Sequence, residues 1–189
     1  MPMMLCDYLY YYPFIDEGST DEQLLDNTAP LTRYTDGEGV RVMAVSVAGR
    51  TGGQSFSINY TNSAGVAGRT SGLVIQNAVS VNGSIVTSNR ASALAQGPFL
   101  PLQTGDTGVR SIESVTMAGA DVGLFALVLV KPLAQLQLRG IDAPVEVNYF
   151  TDFGQLPTIV DDAYLNFLAC PSGSLAATPL HGDITVVWN

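Results

Sequence analysis

A hydroxyl or thiol nucleophile working at neutral pH needs a base beside it, and the chain holds one histidine, His181, within Pro179-Leu180-His181-Gly182-Asp183. That setting reads as a turn in which the imidazole bonds to backbone. No Gly-x-Ser-x-Gly elbow occurs, and Cys6 and Cys170 lie far apart, with no Cys-x-x-Cys pair and no cationic neighbours to lower a thiol pKa. Two free, buried thiols are the expected state. One histidine and two cysteines also cannot be arranged into a structural zinc site.

Carboxylates are the only reactive groups that cluster: Asp16, Glu17, Asp21, Glu22 and Asp26 near one end, and the pair Asp161-Asp162. A glycosidase needs two carboxyls across a cleft with aromatics that stack on sugar, and the sole tryptophan, Trp188, reads as core packing. A calcium loop of the Asp-x-Asp-x-Asp-Gly kind is missing, so the acids read as a solvated surface. Gly49-Arg50-Thr51-Gly52-Gly53 resembles a phosphate loop only superficially, because it lacks the Gly-Lys-Ser/Thr ending. The expectation is therefore a protein that is not an enzyme, with no catalytic, cofactor-binding or metal-binding residues.

Composition points to contact rather than catalysis. Hydrophobic residues make up 47% of the 189 and charged residues 13%, about half the share of ~25% usual in soluble domains. So few charges predict a surface partly covered by partners. The net charge is −9 and Lys131 is the single lysine, so no basic stripe exists to grip phosphates and nucleic acid is not an expected ligand. No apolar run approaches the roughly 18 residues of a membrane span. Residues 1–12 lack the basic start and cleavage site of a secretory signal, which predicts synthesis in a cytoplasm.

The elements that must carry these residues are strands. From Tyr34 onward apolar residues recur at every second position between Gly, Asn, Asp and Pro punctuation. Residues 55–61 are the clearest case, with Phe56, Ile58 and Tyr60 on one face. Further strands are expected at 40–47, 69–76, 79–87 (broken at Gly83), 109–117, 136–138, 145–149, 164–169, 175–178 and 184–188. Residues 124–130 are apolar on both faces, which suits a covered central strand ended by Pro132. The turn Asp36-Gly37-Glu38-Gly39 before Val40-Arg41 echoes Gly105-Asp106-Thr107-Gly108 before Val109-Arg110, as two equivalent turns in two sheets would. Residues 1–33 differ from the rest and read as an extended N-terminal arm, with a short helix from Ser19 to about Asp26 signalled by a capping box. The fold class is all-β: an antiparallel β-sandwich or jelly roll over residues 34–189, with the arm and at most one short helix. Tyr8, Tyr10, Tyr11, Tyr12 and Phe14 are the candidate assembly contacts, because tyrosine joins a large contact area to a polar tip.

Several phrases resemble small structural proteins of tailed bacteriophages: Leu5-Cys-Asp, Tyr12-Pro-Phe-Ile-Asp, Leu31-Thr-Arg-Tyr-Thr-Asp-Gly, Ile58-Asn-Tyr-Thr-Asn, Gly65-Val-Ala-Gly-Arg and Tyr164-Leu-Asn-Phe-Leu. The resemblance spans nearly the whole chain and consists of turn and strand residues rather than a catalytic signature. It implies a virion protein of the capsid decoration or cement kind, often β-rich and trimeric. Its partners would be the major capsid protein and copies of itself as a homotrimer, on the outer surface of the capsid. A tail, neck or fibre-attachment component and a carbohydrate-binding module are the alternatives.

Overall fold

Phe56, Ile58 and Tyr60 are buried while Ser57, Asn59 and Thr61 between them are only half-buried, so the alternation in the sequence is the alternation of two sheet faces. The structure, a computed structural model, describes residues 1–76, 81–86, 89–90, 97–140, 143–154, 156–170 and 180–187. Its strands are β1 Pro2–Asp16, β2 Gln23–Leu24, β3 Arg41–Ser46, β4 Phe56–Asn62, β5 Arg69–Thr70, β6 Val74–Ile75, β7 Ile85–Val86, β8 Asn89–Arg90, β9 Val109–Met117, β10 Leu124–Gln137 and β11 Leu165–Ala169. One helix, α1 Tyr149–Phe153, is present among the described residues. The strands form two antiparallel sheets, one ordered β11-β1-β10-β3-β7 and the other β2-β9-β4-β6-β8, with β5 against β4.

The sheets face each other across a core in which the rings of Phe56 and Phe125 sit 5.0 Å apart, so the all-β sandwich follows from the periodicity as expected. The first sheet is apolar on its other face too. Cys6, Met43, Val130 and Leu168 are fully buried there, with Met4, Tyr8, Val45 and Val128 packed around them. β10 is thus covered on both sides, as its sequence predicts. Its pairing with β3 stops at Val130, but its pairing with β1 runs through Pro132 to Gln137. Pro132 sits at a register shift opposite Cys6, where a missing N–H is tolerated.

Four expectations need correction. Residues 1–16 are not an arm outside the fold but β1, which pairs with β10 on one side and β11 on the other. Register shifts at Leu9 and at Pro13-Phe14 break the period of two, and both faces are apolar, so the stretch does not read as a one-faced strand. The helix at 19–26 is replaced by a clamp and a short strand. The Gln23 amide donates to the Asp16 carbonyl and accepts the Asp16 N–H, each at 2.8 Å, and Glu22 accepts from Ser114 Oγ at 2.6 Å.

The strand expected at 145–149 is absent. Asn148 caps α1 by accepting from the N–H groups of Phe150 and Thr151, and Gly154 closes it at φ 68, which outweighs three alternating residues. Ile184 to Val187 carry no strand and stand exposed. The segments 175–178, parts of 79–87, and Trp188 lie outside the described residues, although residues 81–84 do form the turn expected at Gly83 and feed β7.

The echoed turns meet. Val40-Arg41 leads into β3 of the first sheet, Val109 opens β9 of the second, and a bridge joins Glu38 to Gly108 between them. Thr107 Oγ1 donates to Glu38 at 2.6 Å. A Cβ on Gly108 would stand 2.0 Å from the Gly37 carbonyl oxygen, so glycine is required by the close approach of the two backbones.

Candidate assembly surface

Three arginines are bound inside the fold by bidentate pairing, and these pairs decide what remains for the surface. Arg33 grips Asp7 through Nε at 2.8 Å and Nη2 at 2.7 Å, and Asp7 also accepts the Tyr164 N–H at 2.8 Å. β1, the loop before β3 and the start of β11 are thereby fastened together. Arg50 meets Glu17 through Nε and, at 2.9 Å, through Nη2, with both side chains buried and the guanidinium 5.9 Å from the Phe125 ring centroid. The superficial phosphate loop around Gly49 therefore presents its arginine inward, to a carboxylate. Glu17 is thus also removed from the acidic cluster.

Asp106 is the third hub. It accepts from Tyr60 Oη at 2.6 Å, Asn62 Nδ2 at 2.8 Å, and Arg69 Nε and Nη2 at 3.0 and 3.1 Å. The Arg69 guanidinium, with the hydroxyl and amide donors, holds its carboxyl down at about 2.

The remaining acids do not converge. Among the described residues no group of three or more His, Cys, Asp or Glu is placed to hold a metal ion, and no helix is long and apolar enough to cross a membrane. His181 is exposed. The cysteines are free; burial pushes the Cys6 thiol up to about 11 and raises that of Cys170. A shallow depression of about 240 Å³ lies between the 27–31 loop and Arg110, whose guanidinium donates to the backbone carbonyls of Asp36 and Ser63.

The five candidate contacts separate along β1. Tyr12 is buried between the sheets, where its hydroxyl accepts the Ile112 N–H at 3.0 Å and burial pushes its pKa up to about 12. Tyr10 packs edge-on to Tyr12 with centroids 5.0 Å apart, and Tyr8 lies against the outer cluster, 6.5 Å from Tyr164. Tyr11 and Phe14 are the outward members, 64% and 70% exposed, and Phe14 is turned out at φ 60 by the register shift.

Further exposed apolar side chains lie elsewhere, on α1 and β11, at the two edges of a ribbon the sequence reading did not single out. The inter-sheet core takes its β1 and β10 members from residues 9–15 and 125–129, so residues 2–8, residues 131–137 and β11 run on past it as three strands. On one edge of this ribbon Tyr149 Oη donates to the Gln135 carbonyl at 3.0 Å and accepts the Gln135 N–H, tying α1 to the place β3 has vacated. α1 buries no residue and leaves Phe150 and Phe153 66% and 62% exposed. On the other edge Leu165 and Phe167 of β11 stand in solvent, with Tyr164 beside them. The signal legible in sequence was the aromatic density of residues 149–167. No protein-family model, curated protein or solved structure matches this chain.

Proposed function

We propose that the chain is a non-enzymatic structural subunit of a virus particle: a decoration or cement protein that binds the outside of a tailed-phage head and braces neighbouring capsid subunits. The observation that carries this reading is a set of exposed apolar and aromatic side chains on and beside α1 and β11, namely Phe150, Phe153, Tyr164, Leu165 and Phe167, in a chain only 13% charged. A five-residue helix that buries nothing is marginal alone in water, and two phenylalanines held outward by complete capping suit contact with another protein. Modest contacts on several subunits at once raise the effective affinity, so such a protein needs no reactive group. The charge of −9 suits an outward-facing position better than one lining packaged DNA.

The test is to look for the chain in particles of the virus that encodes it, by mass spectrometry of purified virions and antibody labelling of intact heads under the electron microscope. Labelling over the head surface is expected, together with a lower heat-release temperature for particles stripped of the protein. Absence from purified virions overturns the reading, and labelling confined to the tail moves it to the tail, neck or fibre alternative. The exposed pair Phe150 and Phe153 is also the feature a carbohydrate-binding module would use. Saturable binding on a glycan array, lost in Phe150→Ala, would favour that reading instead.

A further inference from the structure

The bulge in β1 carries a cost that nothing inside the chain repays. Tyr12 lies opposite Leu127 and Ile15 opposite Phe125, so Pro13 and Phe14 together face the single residue Ala126. Phe14 takes φ 60 there, a left-handed conformation that glycine adopts freely and a bulky side chain does not. Its ring is nonetheless 70% exposed. A strained backbone that presents an aromatic ring to solvent suits a contact outside the chain.

Phe14 has apolar company. Tyr11 lies opposite Val128 and shares its face; Val45 lies opposite Ala126, and Ile85 opposite Val45. This is the outer face of the first sheet, whose other half is closed over Cys6, Met43, Val130 and Leu168. Here the face is open, with Tyr11 64% exposed and Val45, Leu124 and Val128 half-buried. The segments that build it, residues 9–16, 43–48, 81–86 and 124–128, contain no Lys or Arg. Their one acid is Asp16, exposed opposite Leu124. Asp121 adds a second at the same end, where its N–H donates to the Glu17 carbonyl at 2.7 Å. Glu17 is already neutralised by Arg50, and Arg41 and Lys131 belong to the other half of the sheet, opposite Val130 and Asp7.

We propose that this open half of the sheet face docks a partner protein that offers an apolar pocket to Phe14 and Tyr11 and rims it with Lys or Arg. This rests on the reading of the chain as an assembly subunit and names one of its contacts. Charge selects the partner. A second copy would bring Asp16 and Asp121 against a face that holds no cation to answer them, within a chain of net charge −9. A basic rim answers both carboxylates while the pocket takes the rings. Tyrosine and phenylalanine supply large contact area with few rotatable bonds, and the backbone already fixes where the Phe14 ring leaves the strand, so little freedom is lost on docking.

The test uses heads of the encoding virus assembled without the chain, mixed with wild type, Phe14→Gly or Tyr11→Ser over a series of NaCl concentrations, with bound chain measured after sedimentation. Wild type is expected to bind, and to bind more weakly as NaCl rises. Each variant should weaken binding roughly tenfold or more. Glycine suits φ 60, so Phe14→Gly should melt no lower than wild type even as it loses binding, which separates a contact residue from a structural one. Either variant binding like wild type overturns the docking face. So does binding that strengthens with salt, or a Phe14→Gly chain that melts well below wild type, which would place the ring in the chain's own packing. Failure of the wild type itself to bind is a different result: it removes the subunit reading, and this contact with it.

Discussion

Asp106→Asn would remove a single charge from a nearly buried hub, and the size of the effect can be worked from the contacts. Four donors converge on the two carboxylate oxygens, from Tyr60, Asn62 and both arms of Arg69. An amide keeps one acceptor oxygen and turns an NH2 toward two of those donors, besides leaving Arg69 without its counter-charge. The carboxyl is held at about 2 against an ordinary 3.8, so its ionised form is favoured in the folded state by about 2 kcal/mol. With the unmatched donors added, the expected loss is about 3 kcal/mol, or roughly 6–12 °C in melting temperature for a chain of this size. The sign with pH follows from the depressed value. The stabilisation is complete above the unfolded pKa near 4, and it is lost as pH falls through the folded value near 2. Urea unfolding followed by circular dichroism at several pH values should therefore show wild type losing about 2 kcal/mol more than Asp106→Asn between pH ~5 and pH ~2. If the variant unfolds within about 0.5 kcal/mol of wild type, or if the two lose equal stability on acidification, the hub is not holding the β4–β9 end together as argued.

The buried pair Glu17–Arg50 should behave asymmetrically: Glu17→Gln strands a guanidinium away from water and costs about 3–5 kcal/mol, whereas Glu17→Gln with Arg50→Met recovers much of it. A double-mutant cycle by thermal unfolding measures the difference. Gly108→Ala should cost about 2 kcal/mol or more, because the new methyl meets the Gly37 carbonyl where the echoed turns touch. Gly49→Ala, with nothing near its Cβ, is the neutral control in the same melting experiment. With its thiol pushed up to about 11, Cys6 should resist maleimide at neutral pH until the chain unfolds, as peptide mass spectrometry of timed labelling would show.

What was legible in the sequence was whatever obeyed a simple period. β4 and the two-faced β10 are found where alternation and continuous apolarity place them, and β9 is found too because it is bounded by turn residues and carries buried apolar side chains, although its pairing with β4 slips at Arg110 and Glu113. β1 was opaque for a physical reason. Its shifts at Leu9 and Pro13-Phe14 change which parity faces the core, so Tyr10 and Tyr12 point inward while Tyr11 points out. The capping box at Ser19 was genuine local chemistry that tertiary bonds from Ser114 and the Asp16 backbone overrode. At α1 the reverse held, and Asn148 and Gly154 decided against a weak alternation. The ribbon edge could not be read from types and spacing, since β11 looks like any half-buried strand until the sheet order places it at one end of the sheet among the described residues.

The charge deficit is sharper at the surface than the composition suggests. Of eight Lys and Arg and seventeen Asp and Glu, three of each neutralise one another in the Arg33, Arg50 and Arg69 pairs, which leaves five cations against fourteen anions for everything else. Two copies of such a chain repel, so any apolar self-association must strengthen as salt shortens the screening length from about 10 Å at 0.1 M to about 3 Å at 1 M. Attachment to a partner surface that supplies the missing positive charge must weaken over the same range. The two kinds of contact therefore respond to salt with opposite signs. Self-association that weakens in high salt, as sedimentation velocity would show, would place complementary charge rather than apolar contact at its centre.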